Sequence, residues 1–268
     1  MAGSEVGAPV NFLSQIVELK RNETEAARQT RPLAELREAV QNAPPARSLK
    51  KKLKEDNGFH LVCEIKKASP SRGIINGGVD PVRQAVSYQE SGASAVSVLT
   101  EKNFFRGALS DLTGVRSRVN IPVLRKDFII DTYQIYESRA AGADLILLIA
   151  KILERRQVED FIALAAELRL EVLLEVCDET DLNKIPSGNG FILGVNNRNL
   201  ETFEVDIAAS LRLKPLLPGN IPAITESGMK SGADCRKMQQ AGFVGALVGE
   251  ALMRRARPGE LIRELKGK

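Results

Sequence analysis

The sequence predicts an α/β fold, a closed (β/α)8 TIM barrel with an N-terminal helical extension. Eight short apolar runs recur along the chain, and each is followed by a segment with helical spacing. Glycine turns separate many helix ends from the next run. An open doubly wound sheet uses the same alternation, but no G-x-G-x-x-G motif follows the first run. The barrel is therefore the favoured prediction.

The apolar runs predict the barrel strands, because their length and flanking turns are typical of buried parallel strands. Asp80-Pro81 can cap and open one of the intervening helices. The runs lie at about residues 60–66, 95–99, 122–126, 145–149, 171–176, 191–195, 221–225 and 244–248.

The extension is predicted as residues 1–55 and the barrel domain as residues 56–268. Apolar residues recur with helical spacing before the first strand, and Pro32 and Pro44-Pro45 separate the helices. The basic cluster Lys50-Lys51-Lys52 with Lys54 is interpreted as a solvated helix face.

Composition excludes several classes of protein. A chain of 268 residues with 43% hydrophobic content can bury a large core. No run approaches the roughly 20 apolar residues of a membrane span, and the first ten residues lack the regions of a signal peptide. The three cysteines are widely spaced, and the single histidine, His60, is expected to be structural. We expect a cytoplasmic protein, with an organelle stroma as an alternative.

The net charge of +4 favours anionic partners, so nucleic acid must be weighed against anionic metabolites. Aromatic residues make up only 4% of the chain and are not interleaved with the basic residues, so no base-stacking platform is evident. A nucleic-acid-binding protein would use Lys50 to Lys54 and would bind RNA with a steep salt dependence. We expect no nucleic-acid partner and no membrane partner.

Charged and polar residues cluster at the carboxyl ends of the predicted strands, where (β/α)8 barrels build their active sites. In a strand, alternate residues share a face, which pairs Glu64 with Lys66 and Asn196 with Arg198. Such a set predicts acid–base chemistry on an anionic substrate without a metal. Its members are Glu64, Lys66, Ser69, Lys126, Glu175, Asn196, Arg198, Glu226 and Ser227.

A phosphate site is predicted after the last two strands. Glycine follows the strand in Glu226-Ser227-Gly228 and in Val248-Gly249-Glu250, which lets a phosphate approach backbone N–H groups. These glycines alone can also be explained by tight turns. Their joint occurrence in the two loops where barrels bind phosphate favours a phosphorylated substrate.

Seven motifs, in order, resemble the indole-3-glycerol-phosphate synthase family, and the resemblance runs from about residue 10 to the C-terminus. The motifs are Glu-Ile-Lys-Lys-Ala-Ser-Pro-Ser from Glu64, Leu-Thr-Glu from Leu99, Arg-Lys-Asp-Phe-Ile from Arg125, Leu-Leu-Ile from Leu147, Leu-Glu-Val from Leu174, Asn-Asn-Arg-Asn-Leu from Asn196 and Glu-Ser-Gly from Glu226.

The resemblance implies an enzyme of tryptophan biosynthesis that needs no cofactor. Its substrate would be 1-(2-carboxyphenylamino)-1-deoxyribulose 5-phosphate, which closes to an indole ring with loss of carbon dioxide and water. Lys126 resembles the general acid of ring closure, and Glu175 resembles an acid of the dehydration. Glu64 and Lys66 resemble the pair that handles protons and orients the substrate. Asn196 resembles an orienting group, and Glu226 one that binds substrate or assists proton transfer.

The resemblance also implies binding roles. Ser227, Gly228, Gly249 and the backbone of Glu250, with Lys66, resemble the phosphate cradle. Ser69 and Arg198 lie where a substrate carboxylate could be held. Cys177 and Glu250 stand where some relatives have histidine and serine, and neither departure removes an assigned role. The apolar pocket for the aromatic ring would consist of Phe105, Phe128, Leu147, Leu200 and Val248.

Phosphoribosylanthranilate isomerase is the other enzyme considered, and the acidic residues Glu64 and Glu175 argue against it. The resemblance favours a monomer that could associate with other enzymes of the tryptophan pathway. Because the mouth carries several carboxylates and the substrate adds two anionic groups, we expect one glutamate to be held protonated.

Overall fold

The computed structural model describes residues 12–55 and 58–267. Eight parallel strands close into a barrel, in which each barrel strand pairs with the next one along the chain and the last closes the ring against the first. The predicted fold class is confirmed. The barrel strands are β1 (His60–Ile65), β4 (Ala95–Leu99), β5 (Val123–Lys126), β6 (Leu145–Ile149), β7 (Glu171–Val176), β8 (Ile192–Asn196), β9 (Ala223–Glu226) and β10 (Gly245–Val248).

A two-stranded antiparallel ribbon, β2 (Ala68–Ser69) with β3 (Gly73–Ile74), follows β1 and stands outside the barrel. Helices join the barrel strands on the outside. They are α4 (Pro81–Glu90), α5 (Leu109–Arg118), α6 (Thr132–Ala140), α7 (Arg155–Glu167), α8 (Glu179–Leu182), α9 (Ala208–Leu213), α10 (Gly232–Gln240), α11 (Glu250–Met253) and α12 (Pro258–Leu265).

The side chains of the barrel strands build two apolar cores. One fills the barrel interior and includes Val62, Leu124 and Leu145, whereas the other lies between the strands and the outer helices and includes Leu61, Val96 and Ile146. Because both faces of the strands are buried, the strands read as continuous apolar runs. In the part of the chain that the structure describes, no helix has the length and apolar character of a membrane-spanning segment.

Three helices precede β1: α1 (Phe12–Thr30), α2 (Leu33–Gln41) and α3 (Leu49–Glu55). Pro32 precedes the first residue of α2, as the sequence predicts. Lys51 and Lys54 of the basic cluster are exposed, while Leu53 is buried. The proposed boundary between residues 55 and 56 stays a prediction, because residues 56 and 57 and residues 1–11 lie outside the described part.

Helix α1 lies across the carboxyl ends of several strands. The Phe12 ring packs edge-to-face against Phe104, Phe128 and Phe203, with ring centroids 5.1, 6.3 and 5.2 Å away. About two turns further into the helix, the Lys20 ammonium lies 2.8 Å from the Asp127 carboxylate, and both side chains are almost fully buried. The extension therefore contacts the end of the barrel at which active sites form.

Helix α3 is fixed at the opposite end of the barrel. The backbone N–H groups of Leu49 and Lys50 donate to the Glu171 carboxylate at 2.9 and 3.0 Å. Glu171 is the first residue of β7. A carboxylate at a helix N-terminus satisfies free N–H groups and opposes the helix dipole. The extension is therefore held at both ends of the barrel.

Candidate active site

A cavity of about 750 Å³ opens at the carboxyl ends of the barrel strands. All of the predicted site residues except Ser69 line it. Strand polarity explains this convergence, because parallel strands in a barrel all end on the same face. Those lining residues are Glu64, Lys66, Phe105, Lys126, Phe128, Leu147, Glu175, Asn196, Arg198, Leu200, Glu226, Ser227, Gly228, Val248, Gly249 and Glu250.

Lys126, the last residue of β5, lies between two buried carboxylates. Its Nζ atom is 3.4 Å from Glu175 Oε2 and 3.5 Å from Glu226 Oε2. Burial alone would lower the pKa of Lys126, but Glu175, Glu226 and Glu64 together outweigh burial and raise it. The lysine is therefore a charged ammonium group that can donate a proton inside a largely apolar cavity.

Glu226 is the carboxyl group whose protonation state is the most unusual. Its two oxygens are buried and have no hydrogen-bond partner in the described part of the chain. Burial is the main cause that raises the pKa of Glu226, and repulsion from Glu175 and Glu64 adds to it against the opposing effect of Lys126. The result is a pKa of about 8. The sequence predicts one protonated glutamate without saying which, and the geometry favours Glu226, with burial as the leading cause.

This pKa predicts a specific dependence of stability on pH. Between the usual value of 4.5 and about 8, the folded protein keeps the Glu226 proton and the unfolded chain has lost it, so stability falls as pH rises. Glu226→Gln removes this loss, which is on the order of a few kcal/mol. We expect its thermal midpoint to exceed that of the parent, and by more at about pH 8 than at about pH 5. Equal differences at both pH values would contradict the raised pKa.

Glu64 and Lys66 share a face of β1 and its extension, as the period of two predicts. Lys66 Nζ lies 3.0 Å from Glu64 Oε1. Burial favours the neutral form of Glu64, but the charges of Lys66, Lys126 and Arg198 outweigh it and lower the pKa of Glu64. Glu64 is therefore ionised at neutral pH and can act as a base, in contrast to Glu226.

Polar side chains from β8 and the loop after β9 form one edge of the cavity. The Asn196 side-chain oxygen accepts hydrogen bonds from Ser227 Oγ at 2.9 Å and from the Arg198 backbone N–H at 3.0 Å. The amide nitrogen of Asn196 lies on the same side chain, and its orientation is fixed by these two bonds. Asn196 thus lines the cavity with a fixed side-chain orientation.

The loop after β9 has an unusual backbone. Ser227 and Gly228 both adopt positive φ angles, 64° and 88°. The left-handed region is uncommon for serine and is often found at functional sites. A Cβ at position 228 would lie 2.7 Å from Ile207 Cγ2, so both conformation and space favour glycine there.

The Glu250 side chain lies close to three arginines at the end of the cavity formed by the loops after β9 and β10. Its carboxylate lies 3.5 Å from Arg72, 3.6 Å from Arg198 and 3.0 Å from Arg254. The sequence predicts a role for the Glu250 backbone only, and the arginines around its side chain depend on tertiary contacts that no local pattern shows.

An apolar wall faces the charged groups. The Phe105 and Phe128 rings lie 6.3 Å apart, and Leu147, Leu200 and Val248 line the same cavity. The loop that carries Phe105 is fixed by Glu101, whose carboxylate accepts the backbone N–H of Phe104 at 2.7 Å and of Phe105 at 2.9 Å. Glu101 is fully buried. The aromatic wall is therefore preformed.

Ser69 lies apart from the other predicted site residues. It belongs to the ribbon strand β2, and its Oγ atom is buried without a hydrogen-bond partner in the described part of the chain. The sequence places it in a simple loop after β1, whereas in the structure it pairs with β3 and is not among the residues that line the cavity. The proposed contact of Ser69 with a substrate carboxylate stays a prediction.

Several lining residues escape sequence reasoning. Arg72 lies in the turn between the ribbon strands β2 and β3, and Lys230 and Arg255 lie beyond the phosphate loops, so these three add cations to the cavity. A strand-end rule finds only residues next to the strands. Within the described ranges, no cluster of histidine, cysteine and carboxylate side chains has the arrangement of a metal site.

A (β/α)8 barrel with lysine and glutamate side chains converging in a cavity at the carboxyl ends of its strands is the architecture of a barrel enzyme. The family model described as "Indole-3-glycerol phosphate synthase" matches residues 13–265. The chain belongs to the indole-3-glycerol phosphate synthase family.

Curated relatives with the same description support this assignment. The protein from Chlorobium luteolum is 46% identical over 244 residues, which cover 91% of this chain and 93% of the relative. The protein from Campylobacter fetus is 39% identical over 256 residues, covering 96% and 99%. Among solved structures, 3-hexulose-6-phosphate synthase from Salmonella typhimurium has a TM-score of 0.61 at 14% identity and covers 78% of this chain and 97% of its own. At this low identity, the similarity to the solved structure shows a shared fold and nothing more.

Proposed function

We propose that this chain converts 1-(2-carboxyphenylamino)-1-deoxyribulose 5-phosphate into indole-3-glycerol phosphate, carbon dioxide and water, as an enzyme of tryptophan biosynthesis. The observation that carries this proposal is the position of Lys126 between Glu175 and Glu226 in the cavity. A charged lysine beside the Glu175 carboxylate and a Glu226 carboxyl group with a raised pKa supplies the acids and bases that the reaction needs, without a cofactor.

In ring closure, the aryl carbon that carries the carboxylate attacks the ketone carbon, and the ketone oxygen takes a proton. Lys126 is the proposed proton donor, because its ammonium group is buried and stays charged. A developing negative charge on that oxygen is also stabilised by the same buried ammonium group. Loss of carbon dioxide then restores the aromatic ring.

Dehydration follows, in which the new hydroxyl group leaves as water while a ring proton is removed. Glu175 is the proposed acid, and the pair Glu64–Lys66 is proposed to handle protons and orient the substrate. Burial alone would raise the pKa of Glu64, but the neighbouring cations outweigh it and lower the pKa. Glu64 is therefore ionised and can act as a base. Asn196 is proposed to orient the substrate, and Glu226 to bind it or assist proton transfer.

The substrate's two anionic groups and its aromatic ring suggest how it lies in the cavity. We assign the phosphate to Ser227, Gly228, Gly249 and the Glu250 backbone with Lys66, and the carboxylate to Arg198. The aromatic ring is assigned to the wall of Phe105, Phe128, Leu147, Leu200 and Val248. Supporting this orientation, these apolar side chains and the glycine loops line one continuous cavity.

The decisive experiment is to add the carboxyphenylamino-deoxyribulose phosphate to the purified protein and to follow indole absorbance and fluorescence. Indole formation is expected. An isomerase acting on a phosphoribosylated anthranilate makes no indole, so a flat signal with purified, folded protein would overturn the proposal.

Glu250→Gln tests the assignment of the phosphate end. The Glu250 carboxylate pairs with Arg72, Arg198 and Arg254, so it reduces the positive charge available to an anion. We expect the glutamine variant to have a lower KM and to be inhibited by lower concentrations of inorganic phosphate. Glu260→Gln, which alters an exposed pair with Arg257, is the matched control. A higher KM in Glu250→Gln alone would contradict the assignment.

The monomeric state, the cytoplasmic location and an association with other enzymes of the tryptophan pathway stay predictions. Light scattering on the purified protein measures the first directly.

A further inference from the structure

Strand β8 has no side chain at the point where the Glu226 carboxyl group lies. Gly194 pairs in register with Glu175 of β7 and with Ile224 of β9. A Cβ atom built on Gly194 would overlap Glu226 Oε1 and would lie 3.2 Å from Glu226 Cδ. The carboxyl group therefore occupies the space that any other residue at position 194 would fill.

The backbone conformation does not explain this glycine. Gly194 lies inside a regular strand and is not among the glycines with a positive φ angle. Glycine weakens a strand interior, and it often marks a place where another group approaches the backbone closely. Here the approaching group is the end of a single side chain, Glu226.

The open space at Gly194 and the charged neighbours of Glu226 together determine where its carboxyl group lies. In the residues that the structure describes, neither of its oxygens has a hydrogen-bond partner, whereas most buried polar groups have one. The charged groups that face it are Lys126 from β5, Glu175 from β7 and Glu64 from β1. Of these, Lys126 places its Nζ atom 3.5 Å from Glu226 Oε2.

We propose that Gly194 is a positioning residue of this site, and that its missing side chain holds the Glu226 carboxyl group against β8 beside Lys126. Gly194 acts through Glu226 and not by touching the substrate. The effect on turnover rests on the function proposed above, whereas the effect on Glu226 itself does not.

Gly194→Ala is the direct test. The strand backbone accepts alanine, and the atoms that must move are side-chain ends, Glu226 Oε1 and Leu173 Cδ1 at 3.1 Å, so the variant is expected to fold. A misplacement of about 1 Å in a catalytic group can cost about 10²-fold, and we expect a loss of that order in kcat with little change in KM. Gly190→Ala, at an exposed position with open space around it, is the control.

A double variant separates positioning from general damage. If Gly194 acts through Glu226, Gly194→Ala combined with Glu226→Gln is no slower than Glu226→Gln alone, because the group being positioned is already lost. Losses that multiply in the double variant would overturn the proposal.

A second readout needs no substrate. NMR of labelled glutamate carboxyl carbons follows the titration of Glu226 in the free protein, where we expect a midpoint near 8. Alanine at position 194 pushes the carboxyl group toward the open mouth, where water reaches it, so the midpoint falls toward the usual value for glutamate. An unchanged midpoint would overturn the proposal even if the protein made no indole.

Discussion

Lys126→Ala is expected to abolish ring closure, with kcat reduced by about 10³-fold or more, because the variant has no proton donor for the ketone oxygen. Lys126 pairs with Glu175 and Glu226. Lys126 is the group that opposes the raised pKa of Glu226, so Glu226 stays protonated without the lysine and the cavity need not hold two unpaired charges. Substrate binding should remain close to that of the parent. Single-turnover measurement should show neither carbon dioxide nor indole.

Lys151→Ala is the matched control for this prediction. Lys151 follows β6, pairs with Asp178 at 2.7 Å and is not part of the cavity lining. The Lys151→Ala variant should have the same kcat as the parent protein. Full turnover by Lys126→Ala, with folding checked by circular dichroism, would exclude Lys126 as the general acid.

Glu175→Gln is expected to stop the reaction at a later step. Ring closure and decarboxylation still have Lys126, but the leaving hydroxyl group has lost its proposed acid, so kcat for indole should fall by about 10²- to 10⁴-fold. One equivalent of carbon dioxide should be released without indole in a single turnover. The ratio of carbon dioxide to indole thus distinguishes the two variants.

Glu179→Gln, an exposed change four residues further along the chain, controls for the substitution itself. If Glu175→Gln releases carbon dioxide and indole in equal amounts at the parent's rate, Glu175 has no part in dehydration. If it releases neither, Glu175 acts before decarboxylation, and the division of labour between Lys126 and Glu175 is wrong.

Strand positions were accessible to sequence reasoning because every barrel strand is buried on both faces and followed by a helix. The run at 145–149 coincides with β6, and the run at 191–195 differs from β8 by one residue at each end. Convergence of Glu64, Lys126 and Glu175 followed from strand polarity alone. The rule that all strands of a parallel barrel end on the same face was enough to place most of the residues that line the cavity.

What escaped prediction depends on tertiary contacts. No local pattern in the sequence distinguishes Lys20 from the other basic residues of α1, yet it is buried against Asp127. Ser69 looks like a loop residue, because strands of two residues such as β2 have no detectable periodicity. The close approach of Glu226 to Gly194 depends on the pairing of β9 with β8, which no local sequence pattern shows.

The Lys20–Asp127 pair makes α1 part of the same cooperative unit as the strand end that bears Lys126. A helix outside a barrel usually opens by local fluctuation at low cost. Detaching α1 would carry Lys20 into water and leave the Asp127 carboxylate with one fewer cation, although Arg125 would still lie 3.2 Å from it. Amide hydrogen exchange in α1 should therefore be nearly as slow as in the barrel, and the mouth of the barrel should rarely lose this cover.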